Sequence, residues 1–269
     1  FNWQAFNARG QAYLLEDELE VKYYGELASL LTEVAESYFN VLLADDALRS
    51  IASEHDAVSN QLNQIQSLYD RQLAQITDLL QAQASLAGVE AEQLRLQTQL
   101  AAAREALRSL SGVESGNLYR LSDNAVIPKL ENSINYWLQQ AEENNHQIQA
   151  QEFAVRAAGK RLEGQRGAYM PQVSFILQRQ DSDVGFDNMP QSRTDNTYVG
   201  LDVSIPLYAG GSNRAAVSEA ISLRRIAESE LRQIQLDSSE RVRFTYLQLQ
   251  SSESLILATK KLLESTELS

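Results

Sequence analysis

Two short segments of this chain alternate apolar and polar side chains, as strands do when their two faces meet different surroundings. In residues 198–207, one face carries Val199, Leu201, Val203, Ile205 and Leu207, and the other carries Gly200, Asp202 and Ser204. Residues 173–180 repeat the alternation, with Val173, Phe175 and Leu177 opposed to Ser174, Gln178 and Gln180 and with Ile176 as the exception. A polar loop, 181–196, separates them. The pattern predicts a β-hairpin with one apolar face and one hydrated face.

Long heptad patterns surround this hairpin and predict paired helices. A first helix is predicted from about Ala5 to Tyr69, and a second continues the 3-4 spacing from Leu79 to Leu110. The connection at 72–76 is so short that the two helices must be antiparallel. A third helix is predicted over 134–165, ahead of Pro171, and a fourth from about Asn213 to the end.

Composition agrees with long, uninterrupted elements. The chain has only 12 Gly and 4 Pro in 269 residues, and every Pro lies outside the heptad stretches. With 36 acidic and 23 basic side chains, the formal charge is −13, which argues against nucleic acid as a partner. The absence of cysteine excludes disulfides and thiolate metal sites.

Membrane insertion of the predicted strands would demand partners. No run of roughly 18 uncharged apolar residues is present, so the two strands are the only candidate spanning elements. A lone hairpin in lipid would leave both edges unpaired, so further strands must come from other sequence or other subunits. Because the chain lacks an initiator Met and stops within a helical pattern, we expect it to be a segment of a longer protein.

A weak internal repeat accompanies these elements. Residues 34–41 (VAESYFNV) are similar to residues 242–249 (VRFTYLQL) at an offset of 208. The exit from the second strand, residues 206–211 (PLYAGG), is similar to the opening residues 1–3 at nearly the same offset. The chain is therefore interpreted as one and a fraction copies of a strand, strand, helix, helix unit.

The order of these motifs resembles the TolC-like outer membrane efflux proteins. The similarity rests on residues 169–173 (YMPQV), 199–211 (VGLDVSIPLYAGG), 35–42 (AESYFNVL), 69–78 (YDRQLAQITD) and 107–112 (LRSLSG). It implies a homotrimer whose protomers each contribute four strands to one twelve-stranded outer membrane β-barrel, continued by a coiled-coil tunnel through the periplasm. It also implies a channel for multidrug efflux or type I secretion that works with an inner-membrane transporter and a periplasmic adaptor, without cofactors or bond chemistry.

The resemblance predicts a fold that is mainly α with one β-hairpin, in which transmembrane barrel strands are completed by trimerisation. The expected regions are the end of a barrel strand, a periplasmic helical hairpin, an equatorial packing region, a helix returning to the barrel, the barrel hairpin with extracellular loop 181–196, and the start of a truncated second-repeat helix. Their bounds are 1–4, 5–110, 111–133, 134–168, 169–212 and 213–269.

Candidate site residues follow from the same comparison. Asp78 aligns with a family carboxylate that holds the periplasmic end closed, although Asp78 and Thr77 are equally suited to capping the second helix. Adaptor contacts are expected at the tip, where the family usually has Gly in place of Gln72, so the turn is built differently or Gln72 is strained. The tip candidates are Arg71, Gln72, Leu73 and Ile76.

The two strand faces give two further sets of candidates. Pore-lining candidates are Ser174, Gln178, Gly200, Asp202 and Ser204. Candidates for contact with outer membrane lipid are Val173, Phe175, Leu177, Val199, Leu201, Val203 and Ile205. At the strand ends, an aromatic girdle is favoured for Tyr169, Tyr198 and Tyr208.

Other functional classes are less consistent with the residues. His55 and His146 have no second ligand at metal-binding spacing, and no catalytic triad or phosphate loop is visible, so an enzyme is not expected. The alternative hypothesis is a periplasmic coiled-coil adaptor or scaffold with its strands in a small soluble domain. Such a protein would not need an apolar outer face at Val199, Leu201, Val203 and Ile205.

Overall fold

A computed structural model describes residues 1–114, 116–121, 132–184 and 192–267. The fold is mainly helical with one antiparallel hairpin, as predicted from the sequence. In chain order, the elements are α1 (Trp3–Asp70), α2 (Ile76–Ser111), α3 (Ile134–Asn144), α4 (His146–Arg166), a 3₁₀ turn (Gly167–Tyr169), β1 (Gln172–Val184), β2 (Ser192–Ser204) and α5 (Ser212–Glu267). The chain divides into two compact units, Phe1–Gly25 with Lys129–Ser269, and Glu26–Pro128.

In the unit Glu26–Pro128, the core is the predicted heptad seam between α1 and α2. Two clusters fill it, Val41, Ala44, Leu100 and Leu107 in one and Ile51, Val89 and Leu96 in the other. Every buried residue of α2 falls on a position of the predicted spacing, namely Leu79, Ala82, Val89, Leu96, Leu100 and Leu107. One apolar stripe therefore accounts for the pairing of the two helices.

The chain after α2 folds back onto the same seam. Gly112 ends α2 in a left-handed conformation, with φ 70°. Leu118 packs against the first cluster, and the Tyr38 hydroxyl donates a hydrogen bond to the Tyr119 carbonyl at 2.5 Å. This segment begins the expected packing region 111–133, of which residues 115 and 122–131 lie outside the described residues.

In the unit that contains the hairpin, one glycine lets the start of α1 approach the end of α4 closely. A Cβ on Gly164 would lie 3.6 Å from the Asn7 Cβ, and one on Gly167 would lie 2.4 Å from the Trp3 Cδ1. Asn7 is 1% exposed, and its side-chain amide donates to the Trp3 carbonyl at 3.0 Å. The contact at Gly164 is an ordinary van der Waals distance, so Gly167 is the position where a small residue is needed for the antiparallel pair to pack beside the start of β1.

The predicted third helix, 134–165, is wrong in one respect, because it is broken into α3 and α4. Asn145 has an extended backbone, φ −71° and ψ 114°, between the two helices. Its side-chain oxygen accepts the Gln147 N–H at 2.8 Å, and its amide donates to the Ser238 hydroxyl on α5 at 2.9 Å. An asparagine that caps a helix and binds a neighbour competes with helix continuation.

The strand boundaries also differ from those predicted. The ladder continues to the pair Val184 and Ser192, so much of the predicted loop 181–196 is strand. At the other end, β2 stops at Ser204, and Ile205 lies beyond it. Pro171 lies just before β1, and Pro206 lies two residues after the end of β2. Both prolines lie outside the ladder because proline has no N–H to donate to it.

The close contact at Gly167 generates a stability prediction. We expect Gly167→Ala to lower the free energy of unfolding by about 1–3 kcal/mol, because the new methyl group must displace the Trp3 ring. Gly159→Ala is the matched control on α4, where a Cβ meets nothing within 4 Å and should stabilise by about 0.5–1 kcal/mol. Denaturant unfolding followed by circular dichroism measures both, and equal effects of the two variants would contradict the packing described.

Candidate functional site

The register of the hairpin brings the apolar side chains of both strands to one face. Across the ladder, Val173 pairs with Val203, Phe175 with Leu201, and Leu177 with Val199. Because alternate residues share a face, these three pairs form one continuous apolar surface. Phe175, Leu177 and Leu201 are each 69% exposed, and Val203 is 53% exposed. This apolar face is therefore continuous, and no described part of the chain covers it.

The opposite face is mostly polar. Ser174 pairs with Asp202, Gln178 with Tyr198, and Gln172 with Ser204. Ile176, which lies opposite Gly200, is the one aliphatic side chain among the described pairs of this face from Gln172 to Gln178. All five pore-lining candidates lie on this face.

Tyr198 also lies on the polar face, opposite Gln178 and within β2, so it does not share a face with Phe175 and Leu201; its place in an aromatic girdle stays a prediction. A Cβ on Gly200 would lie 2.5 Å from the Tyr198 hydroxyl oxygen, which shows that the ring lies over that glycine. The sequence assignment used only the position of Tyr198 near a predicted strand end. A side chain at position 200 would therefore have to displace the exposed Tyr198 ring.

The apolar face ends abruptly along the hairpin. On the same face as Leu177, the next residue of β1 is Arg179, whose Nη2 lies 2.7 Å from Asp195 Oδ2 and whose Nε lies 3.3 Å from Asp195 Oδ1. Asp181 stands directly opposite Asp195 in the ladder. The hairpin thus carries an apolar half next to the helices and a charged half toward its turn.

The outer edge of β1 is paired at Val173. The Val173 N–H donates to the Phe1 carbonyl at 2.9 Å, and the Phe1 amino group donates to the Val173 carbonyl. The expected strand end at 1–4 is shorter than predicted, because α1 begins at Trp3. The Asn2 side chain explains this start, since it accepts the Gln4 N–H at 2.9 Å as a helix cap does.

The sequence that forms this hairpin and these long paired helices matches a family of known proteins. The sequence model of the family described as "Outer membrane efflux protein" matches residues 1–113 and 137–269. The chain belongs to the outer membrane efflux protein family. Membership places it in the outer membrane, as expected from the sequence resemblance.

Relatives of known name are similar over nearly the whole chain. The outer membrane protein TolC of Vibrio cholerae is 24% identical over 93% of this chain and 60% of its own length. The alkaline protease secretion protein AprF of Pseudomonas aeruginosa is 26% identical over 98% of this chain and 56% of its own length. The chain thus spans little more than half the length of these efflux family relatives.

Solved structures show the same fold. The outer membrane protein VceC from Vibrio cholerae superposes with a TM-score of 0.78 at 16% identity, covering 99% of this chain and 62% of that one. At this identity, the likeness establishes the fold alone. It agrees with the helical pairs and hairpin described above.

The tip between α1 and α2 in this family member is closed by a Schellman turn with an unusual residue. The Leu73 N–H donates to the Leu68 carbonyl and the Gln72 N–H to the Tyr69 carbonyl, both at 2.8 Å. Gln72 has φ 62°, the left-handed conformation that favours glycine. Of the two possibilities left by the sequence, the structure shows that Gln72 accepts the strain.

Asp78 lies at the start of α2, where it acts as a cap. Its Oδ2 accepts the Gln75 backbone N–H at 3.1 Å, as the third residue of a capping box does. The capping interpretation is therefore seen directly. The other carboxylate oxygen and the exposed position leave the side chain able to contact a neighbouring protein.

The remaining tip candidates form an exposed apolar edge. Leu73 is 71% exposed and Ile76 is 49% exposed. Beside them, a groove of about 530 Å³ is lined by Ile65, Leu68, Leu73, Asp78 and Ala82, among others. The tip thus offers apolar side chains and one carboxylate on a rigid turn.

The described residues also bear on membrane-spanning helices and on metal sites. None of the helices in that part of the chain has the length and hydropathy of a membrane-spanning segment. Within the same residues, no group of three His, Asp or Glu side chains has an arrangement that would hold a metal ion.

Several features of the site were missed from the sequence. The pairing of Arg179 with Asp195 was not predicted, because Asp195 was assigned to the loop 181–196 although the ladder extends to Val184 and Ser192. The available signal was that Arg179, Asp181 and Asp195 are odd-numbered, like the apolar residues of both strands, and so continue the same face. The contact of Tyr198 with Gly200 had no sequence signal beyond their spacing of two.

The two left-handed residues of this unit generate a paired prediction. We expect Gln72→Gly to stabilise the tip by about 1 kcal/mol and Gly112→Gln to destabilise the end of α2 by a similar amount, because φ is 62° and 70° at the two positions. Hydrogen exchange of the Leu73 amide should slow about fivefold in Gln72→Gly. An unchanged or faster exchange rate would contradict the strain assigned to Gln72.

Proposed function

We propose that this chain forms part of the wall of a trimeric outer membrane channel, which exports small molecules or proteins together with an inner-membrane transporter and a periplasmic adaptor. The observation that supports this most is the hairpin with an exposed apolar face opposite a polar face. Together with family membership, it favours a passive duct over any catalytic role. No cofactor is required by such a function.

The exposure and the register of the hairpin support a contact between its apolar face and lipid. Burial of apolar surface stabilises by about 25 cal/mol per Å², so a face that leaves Phe175, Leu177 and Leu201 uncovered is unfavourable in water. In hydrocarbon, the same face loses nothing. The seven lipid-facing candidates named from the sequence remain our proposal, with Ile205 lying beyond the end of β2.

The outer edges of the two strands support oligomerisation. A strand in lipid cannot leave a row of N–H and C=O groups unpaired, because each unsatisfied group costs several kcal/mol. The described sheet has two strands, and the outer edge of β1 is paired by Phe1 only at Val173. Closure therefore needs strands from elsewhere, which a homotrimer with a shared barrel would supply.

The tip is the proposed contact for the periplasmic adaptor and for closure of the channel. Arg71, Gln72, Leu73 and Ile76 are exposed around a rigid turn, as a docking edge requires. Asp78 keeps a free carboxylate oxygen next to this edge while it caps α2. We propose that Asp78 serves both roles, capping within the chain and contact between neighbouring helices at the closed end.

The adaptor or scaffold alternative is not favoured. In that case the hairpin would belong to a small soluble domain, and Leu201 and Val203 would be buried in its core. They are instead 69% and 53% exposed.

Function is tested by comparing the two faces of β2 in the full-length protein. We expect Leu201→Arg to reduce insertion into lipid vesicles, because an arginine at mid-depth on a lipid face costs about 2–4 kcal/mol. The neighbouring Asp202→Arg should insert normally and shift the ion selectivity of the channel toward anions, since it replaces a negative charge by a positive one in every protomer. Planar bilayer recordings measure both effects.

Two results would contradict this proposal. One is the absence of any conductance from the full-length protein. The other is a similar loss of insertion in Leu201→Arg and Asp202→Arg, which would mean that the two faces do not meet different surroundings.

The double role of Asp78 is tested with two substitutions. Asp78→Asn keeps an oxygen that accepts the Gln75 N–H but removes the charge, whereas Asp78→Ala removes both. We expect both variants to raise the resting conductance of the full-length channel and only Asp78→Ala to destabilise α2, by about 1 kcal/mol. A resting conductance unchanged in Asp78→Asn would limit Asp78 to capping.

A further inference from the structure

A small polar pocket lies where the chain after α2 folds back on α1 and α2. Its volume is about 250 Å³. Three arginines from three different parts of the unit line it, Arg49 on α1, Arg104 on α2 and Arg120 after α2, together with Asp45 and Asn117. Such convergence of positive side chains stands out in a chain whose formal charge is −13.

Two of the guanidinium groups are held by carboxylates. Arg120 Nη2 lies 2.6 Å from Asp45 Oδ2 and 2.8 Å from Asp46 Oδ1. Arg49 Nη2 approaches the same Asp45 oxygen at 2.9 Å. The two aspartates therefore balance two arginines and fix their positions, while most N–H donors of these guanidinium groups remain available.

Arg104 provides the surplus charge. Within the described residues, Arg104 makes no ion pair or hydrogen bond, although it lines the pocket. Its neighbours one turn away on α2 are Leu100 and Arg108, so no carboxylate on its own helix face can reach it. Among the described residues, the three guanidinium groups of the pocket meet the carboxylates of Asp45, which lines it, and Asp46, which binds Arg120 beside it, so the charge of Arg104 has no carboxylate partner there.

We propose that this pocket binds a small oxyanion, phosphate or carboxylate, bridged between Arg104 and the paired arginines. Guanidinium groups match both anions because their N–H donors form a planar fork suited to two oxygen acceptors. The volume lies below the range of about 300–1,000 Å³ that is usual for drug-sized ligands, which restricts the occupant to a small anion. This site is independent of the proposed transport function.

The pocket lies where a bound anion would stabilise the folded state. A bound anion would link α1, α2 and the returning segment at Arg120, next to the cluster formed by Val41 and Leu107. Binding to the folded state alone adds stability in proportion to the logarithm of ligand concentration over Kd. Anion binding should therefore be detectable both by calorimetry and as a rise in the Tm of thermal unfolding.

The test is titration of the full chain in detergent at pH 7 and constant ionic strength, with inorganic phosphate in one arm and acetate in the other. We expect saturable binding of at least one anion and a rise in Tm with its concentration. Arg104→Gln should weaken that binding at least tenfold without loss of helical circular dichroism, since Arg104 is exposed and makes no contact that folding needs.

Arg95→Gln is the matched control, because Arg95 is an exposed arginine of α2 outside the pocket. Its Nε donates to Glu92 at 2.7 Å, and this hydrogen bond lowers the pKa of the Glu92 carboxyl. Binding in Arg95→Gln should equal that of the unmodified chain. Saturation by phosphate alone or by acetate alone identifies the anion, whereas no saturable binding of either, or equal weakening in Arg104→Gln and Arg95→Gln, overturns the proposal.

Discussion

The requirement that strand N–H and C=O groups be paired in lipid underlies the account of this chain. The register from Gln172 opposite Ser204 to Val184 opposite Ser192 satisfies the inner edges of two strands and simultaneously fixes which side chains share a face. A slip of one residue would place Asp202 among Phe175 and Leu177. Pairing and two-sidedness are thus one constraint, and it leaves outer edges that only further strands can satisfy.

The helices of the same unit pack at the base of the hairpin, and a glycine permits this contact. In the unit that holds the hairpin, Gly167 at the end of α4 makes room for the Trp3 ring of α1, and Phe1, just ahead of α1, pairs with Val173 at the edge of β1. In the other unit, a heptad seam ends in a Schellman turn where Gln72 stands in the left-handed region. One unit therefore contains the two-faced hairpin that we propose as wall, and the other contains the hydrogen-bonded tip, and α1 contributes residues to both.

The sequence predicted the elements well because their signals are periodic. Heptad spacing located α1 and α2, and alternation located the shared apolar face of Val199, Leu201 and Val203. Local features with a single residue as their cause were harder. The break at Asn145 depends on its hydrogen bond to Ser238, and the position of the Tyr198 ring over Gly200 depends on a side-chain rotamer, neither of which a period encodes. The arginine pocket requires α1, α2 and a returning segment to meet, which no linear pattern shows.

The most direct test of the two-faced wall uses the absence of cysteine in this chain, since each introduced thiol then reports one position within it. Single cysteines placed at positions 199 to 204 in the full-length protein, inserted in lipid vesicles, would be exposed to a membrane-impermeant maleimide. The account predicts labelling with a period of two, strong at 200, 202 and 204 and weak at 199, 201 and 203. Uniform labelling, or uniform protection, would contradict it.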